Sequence, residues 1–324
     1  MKVNFKLIIL LCLLFSLAGL YFFRDTTYYQ TESVNNIALI LRRQNNDYWK
    51  SVRRGAEAAA KEYNVKVDIV SPDEEWDYAE QINLLDQAIK RKVDALIIAP
   101  NDSNELVKAA ESAVSQGIPV LTIDSEINSK AVSCYIATNN FSAGENLAKK
   151  AIEVAGESSI IAIINSDKKT TNFIDRENGL MDMLSKYPYV KVAATRYNIL
   201  GIEGAAAAAE NIITQNKFID AIVALDSESS IGAAQIIDRM GLAGKIKVIA
   251  FDSEVEEINY LEEGKIQVTV VQSPFSMGYL SVKNAVLELQ GKKIPKYIDT
   301  GLTVIDRENM YLPANEKILF PFTQ

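Results

Sequence analysis

The sequence predicts an α/β protein of two lobes, each a parallel sheet with helices on both faces, preceded by an N-terminal apolar helix. Three observations predict it. Short apolar runs alternate with amphipathic stretches of helical length, first over residues 37–124 and again over 160–252. Each series closes on a carboxylate, Asp124 in Pro119-Val-Leu-Thr-Ile-Asp124 and Asp252 in Lys247-Val-Ile-Ala-Phe-Asp252. The chain, at 324 residues, also exceeds what one hydrophobic core comfortably serves. Ligands of open α/β sheets collect outside the carboxyl ends of the strands. Two such series therefore describe two lobes facing one cleft, with an acceptor from each.

The elements follow in order. Lys2 and Lys6 precede an uncharged run, Leu7 to Phe23, and Arg24 and Asp25 follow it. Positive flank, apolar stretch and polar exit fit an export signal or a membrane anchor. The run is at the short end for a spanning helix at about 1.5 Å of rise per residue. Ser16-Leu17-Ala18 permits cleavage after Ala18, but Leu20 to Phe23 prolong the apolar character, and Tyr21, Tyr28 and Tyr29 suit a membrane interface. Ile9-Leu10-Leu11 before Cys12 lacks the small residues of a lipid-modified cysteine. The expectation is an uncleaved N-terminal anchor, residues 1–6 inside and the remainder on the extracytoplasmic face of the cell membrane. Residues 24–36, polar and without an apolar period, read as a tether.

From Ile37, strands are expected near 37–41, 65–70, 95–98 and 120–123, with helices over Tyr48–Tyr63 and Tyr78–Lys90. The pattern restarts with strands at 160–164, 190–194, 221–225 and 247–251 and helices near 142–155, 176–187, 204–216 and 228–241. Gly117 and Gly241 stand where helices stop, and the alanine run Ala205–Ala209 favours helix. After Asp252 come a short helix, a strand Gln267–Val271, a helix Ser276–Gln290 and a final extended segment that can cross between lobes. No Gly/Ser-rich linker separates the lobes, so the hinge reads as several strands.

Composition excludes several functions. With 34 Lys+Arg against 42 Asp+Glu the net charge is −8, which disfavours nucleic acid as a partner. Arg42, Arg43, Arg53 and Arg54 form the local basic exception, and Arg53 and Arg54 read as solvated helix residues. The chain has no histidine, so it lacks the usual general base near neutral pH and the commonest metal ligand. Two cysteines, Cys12 and Cys134, make no disulfide framework. The first strand-to-helix turn, Arg42 to Asp47, has no glycine for a phosphate-binding loop. No catalytic residue, cofactor or metal is expected. A carboxylate pair such as Asp124 and Asp252 would serve a glycosidase and is the one enzymatic alternative.

Around Asn46-Asp47-Tyr48-Trp49, Asn and Arg side chains suit sugar hydroxyls and an aromatic face suits the C–H surface of a pyranose. Equally, Asn46 or Asp47 caps the helix and Trp49 packs in the core. Asp124 and Asp252 are hydroxyl acceptors or helix caps, and their matching places in two lobes favour the former. Arg176 on a helix, Asn140 after Ile136-Ala-Thr138 and Gln272 before Pro274 each also admit a plain structural reading.

The words Ile37-Ala-Leu-Ile, Asn45-Asn46-x-Tyr48-Trp49, Ala95-Leu-Ile-Ile-Ala-Pro100-Asn-Asp102, Gly117-Ile-Pro-Val, Ile136-Ala-Thr-Asn-Asn140, Asp175-Arg176-x-x-Gly179, Phe251-Asp252 and Val271-Gln272-x-Pro274 occur in order. From Ile37 to the C-terminus the chain resembles the ribose/galactose/xylose group of type I periplasmic sugar-binding proteins. The resemblance implies two Rossmann-like lobes closing around one sugar, joined by three crossings near Thr138–Asn140, Gln272–Ser273 and Leu302. It divides the chain into an anchor and tether (1–36), an N-terminal lobe (37–138 plus 273–302) and a C-terminal lobe (139–272 plus 303–324). It implies ligand contacts at Asn46, Tyr48, Trp49, Asp124, Thr138, Asn140, Arg176, Asp252 and Gln272. Departures from the family pattern add two: Arg42 where a small serine is usual, and Asp226 where an asparagine is usual. Asp226 is expected to form an acceptor–donor clamp with Arg42 or Arg176. Trp49 resembles the xylose-type members, so a pentopyranose, D-xylose first, is the implied ligand. A chain held by its own helix resembles the tethered sensors that signal to a membrane histidine kinase of a two-component system. The alternative is the substrate-binding component of a sugar ABC transporter. A cytoplasmic repressor on this fold would need a helix-turn-helix where the apolar run stands.

Overall fold

The computed structural model describes Ser16 and residues 34–43, 46–198 and 200–320. The expected anchor lies, Ser16 apart, outside the described residues. Among the described residues no helix is long and apolar enough to cross a membrane.

From Asn35 onward the chain forms one unit. It opens with β1 (Asn36–Ile40), α1 (Asp47–Tyr63), β2 (Lys66–Val70), α2 (Tyr78–Lys90), β3 (Ala95–Ile98), α3 (Val107–Ser115), β4 (Val120–Ile123) and β5 (Cys134–Ala137). The second series runs α4 (Asn140–Ala155), β6 (Ile160–Asn165), α5 (Thr171–Leu184), β7 (Lys191–Tyr197), α6 (Gly201–Gln215), β8 (Ala221–Ala224), α7 (Ser227–Arg239), β9 (Lys247–Phe251), α8 (Val255–Glu262) and β10 (Val268–Gln272). The chain ends in α9 (Pro274–Leu289), β11 (Tyr297–Asp299), β12 (Leu302–Asp306) and α10 (Pro313–Leu319).

These strands form two six-stranded sheets, ordered β11-β5-β4-β3-β1-β2 and β12-β10-β9-β8-β6-β7. All neighbours pair in parallel except β10 with β12. Central strands covered on both faces become continuous apolar runs. Ile37–Leu41, Ala95–Ile98 and Ala221–Leu225 are accordingly fully buried. Gly117 and Gly241 end their helices at φ +82° and +66°, where a side chain would be strained.

The chain passes between the sheets three times: after β5, at Ser273 after β10, and at Thr300-Gly301 between β11 and β12. All three passages leave from the β5–β11 and β10–β12 edges. The opposite edge strands, β2 and β7, therefore border the open side of the cleft.

Two elements differ from expectation. Helix α5 starts at Thr171, ahead of the expected 176, because its first turn is held from the other lobe: Thr171 N–H donates to Ser125 Oγ (3.1 Å). The last segment is not wholly extended, since Pro313 at a first-turn position nucleates α10.

Helix pairs in backbone contact at glycine occur in both lobes. A Cβ on Gly55 or Gly278 would lie 2.0 or 1.9 Å from the carbonyl oxygens of Phe275 and Val52, across α1 and α9. On Gly144 or Gly179 it would lie 2.0 or 1.9 Å from those of Arg176 and Phe141, across α4 and α5. These crossings seat Tyr48 on α1 and Arg176 on α5. Gly278→Ala is therefore expected to lower unfolding free energy by about 1–3 kcal/mol through overpacking, measured by urea denaturation followed by circular dichroism.

Candidate functional site

The loops after the strands of both sheets meet in one cleft. Its two aspartates share a backbone geometry rare for a residue with a side chain: φ is +63° at Asp124 and +83° at Asp252. The neighbouring strand grips each in the same way. Asp124 N–H donates to Ile136 O (3.1 Å), and its carbonyl accepts from Tyr135 OH (3.1 Å). Asp252 N–H donates to Val270 O (2.9 Å), and its carbonyl accepts from Thr269 Oγ1 (2.6 Å). Strained backbone of this kind is held by its surroundings and concentrates at functional sites.

The side chains are fixed by donors. Asp124 accepts from Tyr48 OH (2.7 Å) and from Asn172 Nδ2 (3.0 Å), and Arg42 Nη1 lies 3.7 Å away. Asp252 accepts from Gln272 Nε2 (2.9 Å). Arg176, 1% exposed, donates to Asn140 Oδ1 from Nε (3.2 Å) and Nη2 (2.6 Å), and from Nη1 to the Leu225 carbonyl. Its guanidinium lies 3.5 Å from the centre of the Phe251 ring. Tyr48 and Trp49 meet edge to face at 4.9 Å.

Several contacts join the two lobes directly. Arg43 Nη1 pairs with Glu228 (2.7 Å) while its Nε faces Glu75 (3.1 Å). Arg42 Nη2 pairs with Glu75 (2.8 Å) and lies 4.0 Å from Asp167. Glu254 accepts from the backbone N–H groups of Asp47 and Tyr48, both at 3.2 Å, so an acid of one lobe caps α1 of the other.

Between the aspartates lies a small cavity of about 60 Å³. Arg42, Asn46, Tyr48, Trp49, Asp124, Arg176, Asp226, Asp252 and Gln272 line it. Thr138 and Asn140 do not. Thr138 donates to Gly301 O (3.4 Å) across the crossing segments, and Asn140 holds Arg176. Asn46 Oδ1 caps α1 at Trp49 N–H (2.9 Å), so its structural and lining roles coexist. The clamp expected of Asp226 is not formed. Its carboxylate accepts from Ser229 N–H (2.9 Å) and Ser229 Oγ (2.7 Å), because it caps α7. Asn172, Phe173, Glu75 and Glu228 also line the cavity without having been foreseen. Asn172 and Phe173 stand four and three residues before Arg176, a spacing that puts them on its helix face. An adjoining, larger cavity of about 180 Å³ shares Tyr48, Asp252 and Gln272 and extends to Phe275 and Leu319 beside the crossing at Ser273.

Burial raises the acids. Asp252 is pushed up to about 7, against the opposing pull of Arg176 and the Gln272 hydrogen bond. Burial pushes Asp226 to about 6 despite its bonds to Ser229. Asp124 is also raised by burial, with Arg42 and Tyr48 opposing. Arg42 loses to burial but gains more from Glu75, Asp124 and Asp167, so its pKa stands above the ordinary value.

A carboxyl whose folded pKa exceeds its unfolded value, about 4, binds more protons folded than unfolded through that interval. Its contribution to stability falls as pH rises from about 4 to 7. In urea titrations without sugar, Asp252→Asn should make the decline in unfolding free energy across that window shallower. An unchanged slope would refute the assignment.

The cleft and its two lobes agree with comparisons to known proteins. Residues 37–293 match the periplasmic binding protein domain family. The chain is 30% identical to the ribose import binding protein RbsB of Bacillus subtilis over 82% of this chain and 85% of that one. It is 28% identical to the D-allose-binding periplasmic protein of Escherichia coli, over 80% and 86%. Among solved structures, an Agrobacterium radiobacter solute-binding protein in complex with D-arabinose matches at TM-score 0.85 and 29% identity, covering 89% of this chain and 99% of that one. An Agrobacterium vitis solute-binding protein bound with α-D-tagatopyranose matches at TM-score 0.84 and 29% identity, over 88% and 99%. The fold is that of the type I periplasmic binding proteins, and this chain belongs to the periplasmic binding protein family.

Proposed function

We propose that the chain is an extracytoplasmic binding protein for a monosaccharide, a pentopyranose such as D-xylose first, and that its lobes close on the sugar. The observation that carries this reading is the pairing of Asp124 and Asp252, one from each lobe, on the walls of one cavity with Arg176, Tyr48 and Trp49. Carboxylates and guanidinium suit hydroxyls, and the aromatic rings suit the apolar face of a pyranose. The relatives named for ribose and allose, and the D-arabinose complex, support a sugar of this size. Arg42, Asn46, Gln272 and Asp226 complete the proposed contacts, with Thr138 and Asn140 acting from behind the wall. The proposed lobes are 37–138 plus 273–302 and 139–272 plus 303–324, with 1–36 leading into them.

The proposed partner is a sugar ABC permease, because the matched relatives include an import binding protein covered over most of its length. A second reading, signalling to a membrane histidine kinase, rests on the apolar run Leu7–Phe23 behind Lys2 and Lys6, which would tether the chain through its own N-terminal helix. In both readings the preference of the sugar for the closed form sets how far the equilibrium moves.

Thermal melting against D-xylose, D-ribose, L-arabinose, D-allose, D-galactose and D-glucose tests the proposal. A sugar at about 100 times its Kd adds roughly 2.7 kcal/mol, which raises the melting temperature by several degrees. The expected outcome is a shift with one or two pentoses, lost in Asp124→Asn, a substitution that keeps a side chain tolerant of positive φ. Absence of a shift with every sugar would overturn the reading.

A further inference from the structure

The open side of the cleft carries a second feature. Edge strands β2 and β7 lie farthest from the three crossings, and the loop after each presents a large apolar side chain at the mouth. Trp76, after β2, is 59% exposed, and Leu200, after β7, is 75% exposed. They line one outer cavity of about 260 Å³. This cavity adjoins the inner one: Arg42, Arg43, Glu75, Ser166 and Glu228 line both.

Trp76 is held in place rather than loosely displayed. Its neighbour Glu75 pairs with Arg42 and Arg43, and its neighbour Asp77 caps α2 through Glu80 N–H (2.8 Å). Beside the indole stand charged groups that are only partly buried: Arg43, Glu75 and Glu228 are 27%, 25% and 30% exposed at the side chain, and Asp167 is 14% exposed. An indole face flanked by carboxylates and a guanidinium offers a hydroxylated ring both a stacking surface and hydrogen-bond partners. The inner cavity alone accounts for none of this, since Trp76 and Leu200 do not line it.

We propose that the mouth of the cleft is a second sugar subsite, with Trp76 as its platform, and that the chain binds a disaccharide whose one ring fills the inner cavity while the other rests on Trp76. The inference builds on the proposed sugar site and extends the ligand class from monosaccharide to short glycoside. The link between the rings passes the Arg43 ion pairs with Glu75 and Glu228, which are among the groups common to both cavities.

The test compares, on the full chain, D-xylose, D-ribose, L-arabinose, D-galactose and D-glucose with disaccharides that carry the same sugars as reducing or as non-reducing unit, using calorimetry and acrylamide quenching. The chain has two tryptophans, and Trp49 is buried while Trp76 is exposed, so quenching reports chiefly on Trp76. For the sugar that binds, a disaccharide containing it should bind about tenfold more tightly and shield Trp76 from acrylamide, which the monosaccharide should not. Trp76→Ala should reduce disaccharide affinity to that of the monosaccharide and leave monosaccharide affinity unchanged. If the monosaccharide binds but no disaccharide binds better, or if Trp76→Ala weakens both alike, the subsite is refuted and the inner site stands. If neither kind of sugar binds, both the inner-site reading and this extension fall.

Discussion

The cleft depends on one constraint: it places ionised groups from two lobes where little water reaches them. A buried charge is tolerated only with partners, and here each lobe supplies most of its own. Arg176 is held by Asn140, the Leu225 carbonyl and the Phe251 ring, while Asp124 is held by Tyr48, Asn172 and Arg42. Of these partners only Asn172 belongs to the opposite lobe, so its hydrogen bond to Asp124 is the one tied to the approach of the lobes. A ligand rich in hydroxyls can enter the same network by exchanging one hydrogen bond for another.

The backbone prepares this arrangement before any side chain acts. Both aspartates occupy the left-handed region at strand ends, and each has its amide and carbonyl secured by the adjacent strand. The glycine contacts between α1 and α9 and between α4 and α5 repeat the symmetry one layer out. Each lobe thus presents a wall held by its own backbone contacts, and three crossing segments and the ion pairs of Arg43 with Glu228 and Arg42 with Asp167 join the two.

Much of this was legible in the residues. The strand–helix alternation and the terminal aspartates follow from apolar period and strand length alone. Tyr48, Trp49, Asp124, Arg176, Asp252 and Gln272 were implied as ligand contacts by the family resemblance, and all six line the inner cavity. What escaped was tertiary. The start of α5 is set by Ser125 of the other lobe, which no local window contains. The capping role of Asp226 was hidden because an aspartate before a serine-rich helix start reads equally as ligand or cap. Glu75 and Trp76 lie in an acidic loop without period, so their meeting with Arg42, Arg43 and Leu200 appears only when the edge strands are placed.

The central claim is that Asp124 and Asp252 together receive the hydroxyls of one sugar. A crystal structure with the sugar of highest affinity tests it most directly. The account predicts electron density for a ring between the two carboxylates, each accepting a hydrogen bond of about 2.5–3.0 Å from a sugar hydroxyl. A sugar found elsewhere on the molecule, or touching neither aspartate, would contradict it.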